Sequence, residues 1–242
     1  MSSVKSFTAV QQGVVMSEKA LPSYFSVTSV LLLLLSVIAF SDNLFTDVGQ
    51  PSNSDLKFIV HGLFGLAWYV LLATQANLVR LRNLKLHRQL GIATFIVSIG
   101  VILSTLYVFI AVWKGWSNMG EEARANRLLL PGFTLFILLA WLLRRRSDWH
   151  KRLLFAGTFL MLGPLLTRSY DKLVMSWAEP MFPSFYTKQV DEAAFLTYFC
   201  AVWASFFLSL AFYDWKDLRR IHPVTIAGCA WLVLAWLISA LT

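Results

Sequence analysis

Residues 57–79 read KFIVHGLFGLAWYVLLATQANLV, and no Asp, Glu, Lys or Arg interrupts the stretch between Lys57 and Arg80. A helix rising 1.5 Å per residue needs about 20 apolar residues to cross a hydrocarbon core roughly 30 Å thick, so this stretch has the length of a transmembrane helix. Blocks of the same character recur at 24–41, 89–113, 128–143, 152–169, 193–213 and 223–241. The 242-residue chain is 57% hydrophobic and only 14% charged, against about 25% charged for an ordinary soluble domain. A soluble fold of this size has no interior large enough for so much apolar surface. The expected fold is an all-α polytopic membrane bundle of about seven transmembrane helices over residues 24–242. A cytoplasmic N-terminal tail, residues 1–23, precedes it. That tail carries Lys5, Glu18 and Lys19 without a clean apolar segment, so it does not read as a removable signal peptide, and the first span serves as an uncleaved anchor.

The net charge of +8 raises the question of nucleic acid, and the placement of the cations answers it. They gather in alternate loops: Arg80, Arg82, Lys85 and Arg88, then Arg144, Arg145, Arg146, Lys151 and Arg152, then Lys216, Arg219 and Arg220. The other loops hold most of the acids. This is the positive-inside pattern of a membrane protein rather than a nucleic-acid-binding face. It predicts a cytoplasmic N-terminus and a periplasmic C-terminus. The two cysteines, Cys200 and Cys229, fall at different depths, so both are expected as small, buried, reduced side chains.

With that topology the chain reads as one leading helix followed by three hairpins, each turning on a basic loop. Each returning helix begins with a histidine, His87, His150 or His222. Counting onward, small residues recur at +6 (Ala93, Ala156, Gly228) and +13 (Gly100, Gly163, Ala235), a weak internal repeat. A heptad spacing keeps them on one face, where helix backbones can approach closely. The longest outer segment, about 170–192, mixes prolines, aromatics and methionines and suits an interfacial lid or aromatic anchor.

The three histidines share one depth at the cytoplasmic face. Converging imidazoles can hold zinc, iron or copper, with Asp148 or Asp214 as an oxygen ligand or second-shell acceptor. Each also sits at a helix N-terminus beside lysine or arginine, which suits a phosphate, a carboxylate or an anionic lipid headgroup. A purely interfacial role, bonding nearby backbone or lipid, accounts for the same residues. In span two, His61, Trp68 and Gln75 repeat every seven residues and face one way, marking either a cavity with His61 at its outer mouth, near Arg168, or ordinary helix packing. A bis-histidine haem deep in the membrane needs ligands at matching depth, and His61 has no such partner; haem held by two of the other three remains compatible. No Gly-rich phosphate loop, serine elbow or HExxH segment occurs, and acids within the spans are scarce, unlike the path of a proton-coupled transporter.

The segments His61 through Trp68 to Gln75, Leu86-His87-Arg88-Gln89-Leu90-Gly91, His150-Lys151-Arg152-Leu153, and Tyr213-Asp214 with His222-Pro223 together resemble a group of bacterial polytopic inner-membrane proteins of unassigned function. The resemblance covers spans two to seven, with His61, Trp68, Gln75, His87, His150, Arg168, Asp214 and His222 as the shared positions. It implies an inner-membrane location and a similar topology, and no particular reaction. Three functions follow as expectations: a cytoplasmic-face histidine and arginine site for an anionic headgroup or a metal, a non-catalytic accessory subunit of a larger membrane complex, and a membrane enzyme using a His-bound metal or haem. Membrane lipids are the expected partners, and nucleic acid is not.

Overall fold

A computed structural model of the protein describes residues 23–242; the tail expected over 1–22, with its Lys5 and Lys19, lies outside the described residues. The described chain is helical, with no strand. In chain order the α-helices are α1 Tyr24–Ala39, α2 Leu56–Arg80, α3 Leu84–Ala111, α4 Glu121–Leu142, α5 Ser147–Leu160, α6 Gly163–Tyr170, α7 Ser176–Met181, α8 Lys188–Leu218 and α9 Pro223–Leu241. Helices satisfy all their interior backbone groups locally, which is what an apolar surround demands. Side chains finish the ends: Ser23, Asp55, Asn83 and Thr187 each accept a first-turn N–H, leaving fewer orphan donors.

Five helices, α2, α3, α4, α8 and α9, are long and apolar enough to cross a membrane. A sixth is counted if α5 and residues 163–181, which meet at a 52° bend, form one broken span. The seventh candidate, α1, has 16 residues and is shorter than the others. The continuous span expected at 152–169 is therefore two pieces. Its break has a local cause. Pro164 has no N–H to donate back into the preceding turn, and a Cβ on Gly163 would meet Asn126 Oδ1 at 2.8 Å, so the chain turns where α4 presses closest.

The basic loops form one end of the bundle, here called the basic end. Two of them turn tightly through a non-glycine residue in the left-handed region, Arg82 (φ 58°) and Arg219 (φ 57°), the conformation that commonly closes a helix C-terminus. α2 packs along α3, and α4 along α5, as the two expected hairpins. The third hairpin is not closed in the same way: α9 lies chiefly against α4 and α5, and touches α8 only sparingly. Gly228 is a point of close approach on α9, where a Cβ would meet Phe207 of α8 at 2.9 Å and the Ala156 Cβ of α5 at 3.3 Å. Gly228 and Ala156 are two of the three +6 positions of the repeat. The third, Ala93, is exposed, so the repeat is not used equally.

α4 is the most buried of the long helices. Phe133 on α4, Phe159 and Leu160 on α5, and Leu162 and Leu166 around the bend form the centre of the core. At the end opposite the basic loops, Asp191 accepts from the hydroxyls of Tyr170 and Tyr186, both at 2.6 Å, which ties the 170–192 segment to the start of α8. Trp177, Phe182 and Phe185 in that segment stay exposed. Cys200 and Cys229 are both free, but Cys200 is exposed on the outward face of α8 and Cys229 only half-buried, so the expected burial of both does not hold.

Candidate functional site

The sequence places His87, His150 and His222 at one end of the molecule, and the structure gives them two different environments. His87 and His150, from the first turns of α3 and α5, line a cavity of about 780 Å³. Trp68 and Gln75 on α2 line the same cavity, with Thr94, Phe95 and Ser98 on α3 and Trp141 on α4. Arg88, Arg144 and Arg145 complete its rim, and no Asp or Glu lines it. The volume lies within the range of small-molecule sites, roughly 300–1,000 Å³. The N-termini of α3 and α5 both start here, and their dipoles favour negative charge.

Hydrogen bonding fixes what the cavity offers. The Thr94 hydroxyl donates to the Leu90 carbonyl at 2.9 Å, so it can only accept from Gln75, which donates Nε2–H at 3.2 Å. That orients the amide and leaves Gln75 Oε1 buried without a partner. Trp68 Nε1 and His87 Nδ1 are likewise buried and unbonded. His150 Nδ1 lies 2.9 Å from the Ala140 carbonyl, which only accepts, so Nδ1 carries the proton and the neutral ring keeps its lone pair on Nε2. A buried polar atom without a partner costs about 1–3 kcal/mol. Three of them on one cavity mark a place built for something polar.

His222 does not line this cavity. It is the N-cap of α9; its Nδ1 accepts from the Val224 N–H at 3.2 Å, and its ring stands edge-on to Trp149 at 4.8 Å. Burial, reinforced by the Arg152 charge, holds its imidazole below the ordinary range. Its backbone N–H donates to Asp214, the centre of a closed polar cluster. Asp214 Oδ1 accepts from Arg152 Nε at 2.5 Å, and Oδ2 from the His222 N–H at 3.0 Å and the Thr225 hydroxyl at 2.6 Å. Arg152 spends its remaining groups on the Asp148 carbonyl and Asp217. Arg152 and Asp214 are both fully buried. This cluster clasps α5, α8 and α9 together. Sequence reasoning assigned Arg152 only to the basic loops; an arginine two residues past His150 and an aspartate ending an apolar run were the available signal.

The expected three-histidine metal site is thus divided. Among the described residues no three His, Cys, Asp or Glu side chains group so as to hold a metal ion; of the two carboxylates offered as oxygen ligand, Asp148 lies 3.7 Å from Arg152 and 3.8 Å from Lys151, and Asp214 has both oxygens engaged within the clasp. The line of His61, Trp68 and Gln75 is also corrected. Trp68 and Gln75 do face a cavity, but it opens toward His87 and the basic end. His61 sits instead beside Ser104 and Thr105, its Nδ1 at 3.4 Å from each hydroxyl. Arg168 is held elsewhere, donating to Asn43 Oδ1 at 3.2 Å and lying over the Phe40 ring at 4.9 Å.

The residues not anticipated are Arg144 and Arg145 as rim cations, and Thr94 as the group that orients Gln75. Arg144 is partly pinned, its guanidinium over the Trp141 ring at 4.6 Å and donating to the Trp141 carbonyl. Comparison with protein-family models, with curated proteins and with solved structures gives no match, so the chemistry of this cavity rests on its own residues.

Proposed function

We propose that the protein is a seven-pass inner-membrane protein, N-terminus in the cytoplasm, whose basic-end cavity binds the anionic headgroup of a membrane amphiphile. The observation that carries this reading is the pairing of an acid-free rim of Arg88, Arg144 and Arg145 with an interior holding a buried, unpartnered donor, Trp68 Nε1. A guanidinium takes a carboxylate or phosphate in charge-assisted hydrogen bonds. The helix N-termini add donors in the same direction. A three-histidine metal centre is less well supported, because His222 Nδ1 is already an acceptor for the Val224 N–H. Seven passes follow if α1 and the bent α5–α6 pair each cross, and the alternating basic loops support the orientation.

The test is native mass spectrometry of protein purified in mild detergent. Wild type should retain an anionic lipid or other acidic amphiphile. The combined Arg88→Gln, Arg144→Gln and Arg145→Gln variant should retain at least about tenfold less, the equivalent of one charge-assisted contact of roughly 1.5 kcal/mol. These side chains are exposed, so the fold survives their replacement. Equal retention in the two proteins would remove the headgroup reading.

A further inference from the structure

A second, separately lined groove lies further along the same two helices that flank the cavity. On α3 the cavity is lined by Gly91, Phe95 and Ser98, and the same stripe continues in steps of three and four through Ile102, Leu106 and Phe109. Residues so spaced share one helix face. α4 runs the other way and answers with Trp141 and Ile137 on the cavity, then Leu138, Thr134 and Pro131 beyond it. The second half of this seam is an apolar groove of about 740 Å³ whose charged lining residue is Arg127. That guanidinium lies over the Phe109 and Trp113 rings at 4.6 and 5.5 Å and closes the far end. Thr134, the other polar wall residue, turns its hydroxyl back onto the Leu130 carbonyl.

Two further observations bear on what the seam could take. α3 and α4 meet much less extensively than α2 and α3 or α4 and α5, so the helices leave space between them along their length. The lips of that space face outward: Ile92 on the cavity is 58% exposed, and Leu106 and Leu138 on the groove are 42% and 45% exposed. The groove follows α3 from Ile102 to the helix end at Ala111, with Trp113 just beyond, roughly 14 Å at 1.5 Å per residue, about half of a hydrocarbon core roughly 30 Å thick. That is the depth of one leaflet's chain. A small soluble anion would use the cavity and leave the groove idle.

We propose that the seam between α3 and α4 holds the hydrocarbon chain of the bound ligand, which enters sideways from the bilayer. The ligand is a long-chain amphiphile whose acidic head sits beside His87, Arg144 and Arg145 and whose chain passes between the helices to lie in the groove ending at Arg127. This inference rests on the headgroup reading above.

The test uses the full chain in nanodiscs of neutral lipid, with palmitate and its alkyl phosphate counterpart, each carrying a diazirine at the chain end. Crosslinks should fall within 102–113 and 127–138. Unlabelled palmitate should displace either probe at a concentration at least about tenfold lower than hexanoate does, because each buried methylene adds to binding. Leu106→Trp, which fills the groove, should bring the two competitors to within about threefold. Leu208→Trp on α8, another outward-facing position (67% exposed), should leave the preference intact. Retention of either head, lost in the Arg88, Arg144 and Arg145 variant, together with that crosslink map supports the proposal. Head-dependent retention with crosslinks spread over the outward faces of α8 and α9, or without chain-length preference, overturns the seam and leaves the headgroup reading standing. Retention indifferent to the three arginines overturns both.

Discussion

Two polar regions share the basic end, and they are built on opposite rules. In the clasp, Asp214, Arg152, His222 and Thr225 satisfy one another, and Arg152 and Asp214 have no exposed side-chain surface. In the cavity, Trp68, Gln75 and His87 keep buried atoms unbonded beneath a cationic rim. Both contain a histidine at the start of a helix. The residue type and its depth therefore do not separate the two regions; the completeness of the hydrogen bonding does.

Breaking the clasp should give the largest effect. Asp214→Ala leaves the Arg152 charge buried without its nearest carboxylate, which costs about 3–5 kcal/mol, and the detergent-solubilised protein should lose most of its cooperative thermal unfolding transition. Replacing both Asp214 and Arg152 with apolar residues of similar size should recover much of that loss, since no lone buried charge remains. If the single and double variants are equally unstable, the ion pair is not what holds α5 and α8.

The helix contact behind the clasp comes next. Gly228→Val forces a branched side chain against Ala156 and Phe207, an overpacking cost of about 1–3 kcal/mol. Ala93→Val, at the equivalent repeat position on an exposed face, should shift the thermal midpoint negligibly. Equal shifts would restore a uniform repeat.

A smaller effect is expected from pH. His222 is held neutral by burial, with Arg152 and Arg220 opposing its protonation and Asp214 and Asp148 favouring it. A depressed folded-state value means the unfolded chain binds the proton first. The stability that neutral His222 contributes is therefore present above its ordinary value of about 6.5 and declines as pH falls below that and through the lower folded-state value. Unfolding midpoints of wild type should drop over this window, and those of His222→Asn, which keeps an N-cap acceptor, should drop less. Parallel curves would assign the pH dependence to other groups.

The cavity should show the smallest stability change and the opposite sign. Gln75→Leu removes an unsatisfied acceptor, so stability should stay level or rise by up to about 1 kcal/mol. A loss of stability comparable to that of Gly228→Val would mean Gln75 is a packing residue.

The parts of this architecture written locally were legible in the sequence. Hydropathy found the long helices, and charge placement found the basic end, because both depend on runs of adjacent residues. The heptad of Trp68 and Gln75 likewise announced a shared face on α2. The direction in which that face opens depends on how α2 meets α3 and α4, so the sequence suggested the mouth at His61 when it lies at His87. His222 looked equivalent to His87 and His150 until Asp214, eight residues earlier, captured its backbone N–H. That pairing, and the reach of Arg152 to Asp214 across 62 positions, belong to tertiary packing. The break before Gly163 had a local signal in Gly163-Pro164, but the approach of the Asn126 side chain to Gly163 did not.

The central claim, that the incomplete region is the binding site and the complete one is a structural tie, is tested most directly by an experimental density map of the protein in lipid nanodiscs, with a bound antibody fragment to add mass. The account predicts a continuous non-protein feature with its head between His87, His150 and the Arg144–Arg145 rim, and protein-only density around Asp214. A cavity filled by isolated water peaks that bond Trp68 Nε1, Gln75 Oε1 and His87 Nδ1 would contradict it.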